Sequence, residues 1–242
     1  MMTIAMERAP TRLAMIKNTL RERIASGVIG HRSKLPSERD LSELFDTTRI
    51  TIKDALISLE TEGLIYREER KGWYVSPPRI RYNPLSRSHF EKMAMEQHRQ
   101  ARTALLQVKT EIANGEQAKA LGIDSICPIH IIERLRYIDD RAVLFVENCL
   151  KVDLFPEILK YDLTTSLTHL FTEQYGYHTQ RSRFEVIPTS APKHVAKSLG
   201  LVEGQPILKI CRINYKQDGE LMDCEFEYWR PDAVMISIDS EG

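Results

Sequence analysis

The C-terminal part of the chain contains an internal repeat. When residues 118–148 are shifted by 78 positions onto residues 196–226, eleven of the 31 aligned positions are identical. A period of this length is too long for a solenoid. Each copy indicates a short helix followed by a β-hairpin, with turns at Asp139-Asp140 and at Gln217-Asp218-Gly219, where Asp-Gly is a strong hairpin signal.

The repeat predicts an α+β domain with an antiparallel sheet, whose two halves are related by a pseudo-two-fold axis. The sequence around the repeat adds further elements to this domain. We expect strands at Thr103–Ile112 and Arg181–Ile187, and helices near Thr165–Tyr175 and Pro192–Leu199.

The first 76 residues show a different pattern, in which helical periodicities precede a short hairpin. Apolar residues recur at steps of three and four in residues 12–26, which marks one face of a helix. Ser37 is a good N-cap for a second helix, and a third helix runs from about Thr48 to Glu62. Two short apolar strands follow, at Leu64–Arg67 and Trp73–Val75. This succession is typical of a winged helix-turn-helix.

Charge and side-chain chemistry favour DNA as the partner of this segment. Residues 1–90 carry 16 Lys and Arg against 11 Asp and Glu, whereas the rest of the chain carries 18 against 23. An arginine at the start of a recognition helix can contact guanine O6 and N7 together, and threonine or lysine can hold phosphates. The predicted DNA contacts are Thr48, Arg49, Thr51 and Lys53 on the third helix, with Arg70 and Lys71 at the hairpin tip. The alternative is a solvated face of an interaction helix.

Three motifs occur in this segment, one after another: Leu35-Pro36-Ser37-Glu38-Arg39, Thr48-Arg49-x-Thr51-x-Lys53 and Glu62-Gly63-Leu64-Ile65. Together they resemble the DNA-binding domain of the GntR family of bacterial transcription regulators. The resemblance implies that Arg39, Arg49, Thr51 and Lys53 face DNA. The hairpin departs from the family's Gly-x-Gly-Thr, because Arg70 replaces the first glycine and Trp73 the threonine. Phosphate contacts by Arg70 and Lys71 are therefore an alternative to insertion of the wing into the minor groove.

Residues 77–89 are expected to link two domains. The stretch SPPRIRYNPLSRS holds three prolines and three arginines, and Pro77-Pro78 favours an extended backbone. At its end, Ser86, Arg87 and Ser88 suit an anion, and a solvated loop explains them equally well. The chain is thus divided into a winged helix-turn-helix domain at 1–76, the linker, and an α+β domain at 90–242.

Arg134 and Arg136 lie two residues apart on one predicted strand and therefore point to the same face. Arg134 has an arginine as its mate in the repeat, whereas Arg136 has an asparagine, so the second copy does not need that charge. Two adjacent guanidinium groups repel each other unless an anion or an acid lies between them. Bidentate bonds there suit a carboxylate, a phosphate or a phosphonate. Neutralisation within the sheet by Glu147 or Glu225 is an equally good explanation of the pair.

Four further motifs follow in order: RLRYIDDRAVLFVENCL, LFPEIL, DLTTSLTHLFTEQYG and EYWRPD. They resemble the UTRA ligand-sensing domain, which accompanies this DNA-binding domain in the HutC subgroup of the GntR family and is similar in fold to chorismate lyase. The resemblance spans most of residues 88–238. It implies an effector pocket lined by Arg134, Arg136, Glu147, Ser166 and Asp223. The loop from Ser86 to Phe90 would close one end, and Trp229 stands where the family often has tyrosine, which alters the preferred ligand shape.

Several classes of protein are excluded by the sequence. No apolar run is long enough to span a membrane and no secretory signal is evident, so a cytoplasmic protein is expected. The four scattered cysteines have no metal-ligand spacing and are interpreted as reduced, small apolar residues. No motif for catalysis or nucleotide binding stands out, and His130 and His169 are interpreted as core or surface groups. We expect no catalytic residues, no cofactor and no metal ion.

These features predict a ligand-responsive transcription regulator, most often a repressor in this family. A homodimer would bind a pseudo-palindromic operator in double-stranded DNA, because two recognition helices need matched half-sites. The first candidate effector is a phosphonate such as 2-aminoethylphosphonate, since KGWYVSPPRIRYNP and EYWRPD resemble regulators of phosphonate use. A sugar phosphate or amino-sugar phosphate is second, and an intermediate of histidine breakdown is third. The alternative from another class is a lyase-like enzyme fused to a DNA-binding module, although likeness of fold does not establish function.

Overall fold

A computed structural model of the chain describes residues 11–86 and 89–239. The described residues form two compact units that divide between Arg79 and Ile80. This division falls within the segment that the sequence analysis treats as a linker.

The N-terminal unit contains three helices and an antiparallel hairpin: α1 (Arg12–Ala25), α2 (Glu38–Leu44), α3 (Arg49–Thr61), β1 (Ile65–Glu68) and β2 (Gly72–Val75). The start of α2 is fixed by a capping box. Ser37 Oγ accepts a hydrogen bond from the Asp40 amide at 3.2 Å, and the Asp40 carboxylate accepts one from the Ser37 amide at 3.2 Å. The predicted winged helix-turn-helix fold and its Ser37 cap are confirmed.

Trp73 of β2 anchors the hairpin to the helices. Its side chain is buried in the core that α1 and α3 form with residues such as Ile16 and Leu56. Its indole N–H donates to Glu38 Oε1 at 3.1 Å, at the first residue of α2. A threonine has neither the area nor the reach for both contacts. The departure from the family's wing motif therefore has a structural role in this chain.

The C-terminal unit combines strands of nine to twelve residues, and two strands of three residues, with short helices. Its elements are β3 (Ile80–Tyr82), α4 (Phe90–Glu96), β4 (Ala101–Ile112), α5 (Gly115–Leu121), β5 (Pro128–Ile138), β6 (Arg141–Lys151), a 3₁₀ turn (Ile158–Lys160), α6 (Leu167–Tyr175), β7 (Arg181–Ser190), α7 (Lys193–Leu199), β8 (Pro206–Tyr215), β9 (Leu221–Trp229) and β10 (Val234–Ile236). Strand β3, which the sequence did not predict, pairs in parallel with β10.

The large sheet has six strands in the order β4-β5-β6-β9-β8-β7, and all its neighbours are antiparallel. The two repeat hairpins, β5–β6 and β8–β9, meet at the centre through β6 and β9. Helices α5 and α7 pack on one face of this sheet, called here the α5/α7 face. Helices α4 and α6 contribute apolar residues to the clusters on the opposite face, called the α4/α6 face. The predicted α+β fold with an antiparallel sheet is confirmed.

The two hairpins differ in the length of their turns, although the repeat aligns without a gap. Asp139 and Asp140 form a two-residue turn with φ of 48° and 65°, which fits a type I′ turn. The second turn has three residues, because Lys216 donates to the carbonyl of Glu220 around Gln217-Asp218-Gly219. One extra residue in a turn moves the side chains of the following strand to the other face of the sheet.

None of the helices in the described residues has the length and apolar character needed to cross a membrane. In residues 11–86 and 89–239, no three His, Cys, Asp or Glu side chains are grouped as a metal site would require.

Candidate functional site

The predicted DNA-contacting helix α3 begins with a hydroxyl cap. Thr48 Oγ1 accepts from the Thr51 amide at 3.2 Å, and the two threonine hydroxyls are hydrogen-bonded to each other at 3.0 Å. These bonds fix the first turn of the helix. Arg49 and Lys53 project from this part of the helix and are exposed.

The five predicted basic DNA contacts fall into two groups. Arg39 forms an ion pair with Glu43 at 3.0 Å, and Arg70 lies 3.8 Å from Glu69. Lys71 pairs with Glu68 at 2.9 Å, and this hydrogen bond raises the pKa of the Lys71 ammonium. By contrast, Arg49 and Lys53 have no hydrogen bond or ion pair with the rest of the described chain.

The bases of the hairpin tip and those of α3 therefore differ in their nearest charged neighbours. The two bases at the hairpin tip each lie beside an acid, whereas the two bases of α3 have no ion pair in the described chain. Exposed bases without an ion pair are the kind of group that DNA phosphates and base edges bind.

A cavity of about 450 Å³ opens on the α4/α6 face of the sheet. Six of the ten predicted effector residues line it: Ser86, Phe90, Arg134, Arg136, Ser166 and Trp229. Arg87 and Ser88 lie outside the described residues. A cavity of this size suits a small metabolite.

The two arginines of β5 have different roles in this cavity. Arg134 is buried, and its guanidinium donates to Asn148 Oδ1 at 3.0 Å and to the Thr165 carbonyl at 3.1 Å. Desolvation, and then repulsion from Arg136, lowers the pKa of Arg134 to about 9. The Arg136 guanidinium lies 5.0 Å from the centre of the Phe90 ring, and its buried Nε has no hydrogen-bond partner in the described chain.

Ser166 and His89 form a polar pair on the cavity wall. Ser166 caps α6 by accepting from the His169 amide at 3.3 Å, and its hydroxyl is hydrogen-bonded to His89 Nδ1 at 2.9 Å. Burial lowers the pKa of His89, and the charges of His169, Lys92 and Arg136 lower it further. His89 is a lining residue that the sequence analysis did not select.

Two acids of β9 also line the cavity, and only one of them forms hydrogen bonds and an ion pair with described residues. Glu227 accepts from the Tyr82 hydroxyl at 3.2 Å and from the Trp229 indole at 2.8 Å, and it pairs with Arg212 at 3.3 Å. Glu225 has no hydrogen bond or ion pair with any described residue. Its charge helps to raise the pKa of its cross-strand neighbour Arg212 and opposes the lowering of the pKa of Arg134. The carboxylate oxygens can still accept hydrogen bonds from a ligand.

The placement of Glu147 in the pocket is wrong. Its carboxylate lies on the α5/α7 face, where it accepts from the Gln117 amide group at 2.8 Å. The sequence aligns Glu147 with Glu225, but the longer second turn sends the two side chains to opposite faces. Of the two aligned glutamates, Glu225 is therefore the one that reaches the cavity.

Asp223 does not reach the cavity either, since it lies beneath Asn214, which lines the wall and donates to it at 2.9 Å. The second carboxylate oxygen of Asp223 is buried and has no partner in the described chain. Burial, and then repulsion from Glu225, raises the pKa of Asp223.

Comparisons with known proteins agree with this architecture. The model of the gntR family of bacterial regulatory proteins matches residues 13–75, and the UTRA domain model matches residues 96–235. The HTH-type transcriptional regulator YihL of Escherichia coli (strain K12) is 27% identical over 224 residues, covering 92% of this chain and 95% of its own length. The HTH-type transcriptional repressor NagR of Bacillus subtilis (strain 168) is 26% identical over 217 residues, covering 90% and 89%.

The fold also occurs among crystal structures. PhnF from Mycobacterium smegmatis matches with a TM-score of 0.63 and 23% sequence identity, over 93% of this chain and all of that one. The UTRA match alone spans more than half of the chain, and the similar proteins are transcriptional regulators rather than enzymes. The chain therefore belongs to the GntR family of bacterial regulatory proteins, with the winged helix-turn-helix and UTRA domain arrangement of the HutC subgroup.

Proposed function

We propose that the chain is a transcriptional repressor whose operator affinity is changed when a small anionic metabolite enters the cavity of the UTRA domain. The family supplies operator DNA and a small-molecule effector as the two classes of ligand. Repression is proposed because the similar protein NagR is a repressor. A homodimer is proposed because two copies of α3 can then read the two halves of a pseudo-palindrome.

The observation that carries the anionic effector is the buried Nε of Arg136, which has no hydrogen-bond partner among the described residues. A buried donor without a partner is costly, and a phosphonate, phosphate or carboxylate group would remove that cost through charge-assisted bonds. The Ser166 hydroxyl and His89 line the same cavity and add hydrogen-bonding groups. Arg134 supplies positive potential, but its guanidinium already donates hydrogen bonds to Asn148 and Thr165.

The open carboxylate of Glu225 favours an effector that also carries a cation. In 2-aminoethylphosphonate an anionic group and an ammonium group are joined by two carbons, so the molecule carries one group with the charge that suits Arg136 and one with the charge that suits Glu225. This compound is our first candidate. An amino-sugar phosphate or sugar phosphate is the second, favoured by the hydroxyl groups of Thr164, Thr165 and Thr168 on the cavity wall, which suit a ligand with several hydroxyls.

Titration calorimetry on the full chain tests these assignments. The ligands are 2-aminoethylphosphonate, ethylphosphonate, which lacks the amine, and glucosamine 6-phosphate. We expect the aminophosphonate to bind more tightly than ethylphosphonate to the wild type, and Glu225→Gln to remove that preference. Tighter binding of the sugar phosphate would instead select the second candidate. Binding that is unchanged in an Arg136→Met variant would overturn the cavity as the anion site.

A further inference from the structure

One apolar side chain stands out on the DNA-binding unit. Ile50, the second residue of α3, is 74% exposed, whereas Ile52 two residues later is completely buried. Ile50 therefore contributes nothing to the core. It lies between Arg49 and Thr51, in a turn whose other exposed residues are polar or charged. A β-branched apolar residue at such a position favours neither helix formation nor solubility.

The surroundings of Ile50 point to nucleic acid rather than to protein. Lys53 lies one helical turn further on and Arg49 is its neighbour, and both cations are exposed without a partner in the described chain. A protein interface would bury these two charges beside the isoleucine at a cost, whereas DNA phosphates would neutralise them. The first turn of a recognition helix is also the part that reaches base edges in the major groove.

An isoleucine cannot form a hydrogen bond with a base edge. Among the four bases, only thymine presents a methyl group in the major groove, and apolar side chains recognise it by contact. The exposed isoleucine therefore matches one base, at a position next to the base that Arg49 contacts.

We propose that Ile50 is a specificity-determining residue that packs against the C5-methyl group of a thymine in each operator half-site. This inference rests on the proposed operator binding by α3, and it adds the base that one residue selects. Burying one methyl group corresponds to about a fourfold gain in affinity, and two half-sites together to about sixteenfold.

The test begins with selection of duplexes from a random pool by the purified full chain. In the selected operator, each thymine is then replaced by deoxyuridine, which lacks only the methyl group, and affinity is measured by fluorescence anisotropy at fixed salt. The variants are Ile50→Ala and a matched control, Ile57→Ala. Ile57 lies two turns further along α3 and is 44% exposed.

We expect one thymine per half-site whose replacement weakens binding about fourfold in the wild type and in Ile57→Ala, but not in Ile50→Ala. A deoxyuridine penalty that persists in Ile50→Ala, or the absence of any penalty in the wild type, would overturn the role of Ile50 while leaving operator binding intact. Failure to enrich any sequence would overturn both this inference and the proposed function.

Discussion

Replacing Arg136 by methionine separates a ligand-binding arginine from a structural one. Methionine keeps an unbranched apolar stem against Phe90 and removes the charge. The buried Nε of Arg136 has no partner in the described chain, so its removal orphans no acceptor there. It also relieves the repulsion that helps to lower the pKa of Arg134. The free energy of unfolding of the unliganded protein should therefore stay unchanged or rise by up to about 1 kcal/mol.

The affinity for the effector, by contrast, should fall in Arg136→Met. Two charge-assisted hydrogen bonds to an anion are lost, which costs about 3 kcal/mol, or on the order of a hundredfold in Kd. The matched variant is Arg134→Met, which leaves Asn148 Oδ1 and the Thr165 carbonyl without their donor. Asn148 is buried, whereas Thr165 is an exposed residue whose carbonyl water can reach, so the loss should lower the free energy of unfolding by about 1–3 kcal/mol.

Urea denaturation of both variants, with and without 2-aminoethylphosphonate, gives the two quantities in one assay. Wild-type protein should gain stability with ligand, since ligand binds the folded state. Arg136→Met should keep its unliganded stability and lose this gain. If Arg136→Met unfolds easily while the remaining folded protein still binds the ligand, Arg136 is a structural residue and the reasoning fails.

Three further predictions concern DNA binding and pH. Arg49→Ala should cost about 1–3 kcal/mol in operator binding and relax one base preference, and unchanged anisotropy titrations would remove Arg49 from the interface. Glu68→Gln removes the ion pair of Lys71, so DNA affinity should rise. The slope of log Kd against log salt should also steepen by about one unit. An unchanged slope would show that Lys71 does not contact the phosphates. Because the pKa of Asp223 is raised in the folded protein, its contribution to stability is present at acidic pH and is lost as pH rises above the ordinary carboxyl range. Asp223→Asn should therefore flatten the loss of thermal stability between mildly acidic and mildly alkaline pH, and an equally steep profile would contradict the buried-acid interpretation.

Much of the fold could be predicted from local signals in the sequence. The Ser37 cap, the periodicity of α1 and α3, and the glycine in the second hairpin turn all act over a few residues, and each element appears near its expected position. The internal repeat supplied the long-range information, because two helix–hairpin copies imply one antiparallel sheet. Strand β3 was missed because its three residues lie in a proline-rich stretch and pair with Val234–Ile236, more than 150 residues away.

The two aligned glutamates show a difference that the sequence alone did not predict. Glu147 and Glu225 align in the repeat, and nothing local distinguishes them. The decisive difference is one residue in the turn of the second hairpin, whose effect on side-chain direction appears only when the strand register is known. The count of loop residues, two against three, was the signal that could have identified Glu225.

The two arginines of β5 were paired correctly on one face, but their roles depended on distant residues. Asn148 and Thr165 lie 14 and 31 positions from Arg134 and occupy its guanidinium. Arg136 has no equivalent partner in the described chain. Charge patterning in the sequence therefore pointed to two residues that line the cavity, and only the tertiary contacts showed that Arg134 is bound within the protein whereas Arg136 is not.

The most direct test of the central claim is release of operator DNA by the effector. Fluorescence anisotropy of the full chain on its selected operator would be measured at fixed salt, with and without 2-aminoethylphosphonate and glucosamine 6-phosphate. The account predicts that one of these compounds lowers operator affinity of the wild type, and that Arg136→Met binds the operator as tightly but no longer responds. Operator affinity that is the same with and without both anions, or a full response in Arg136→Met, would contradict it.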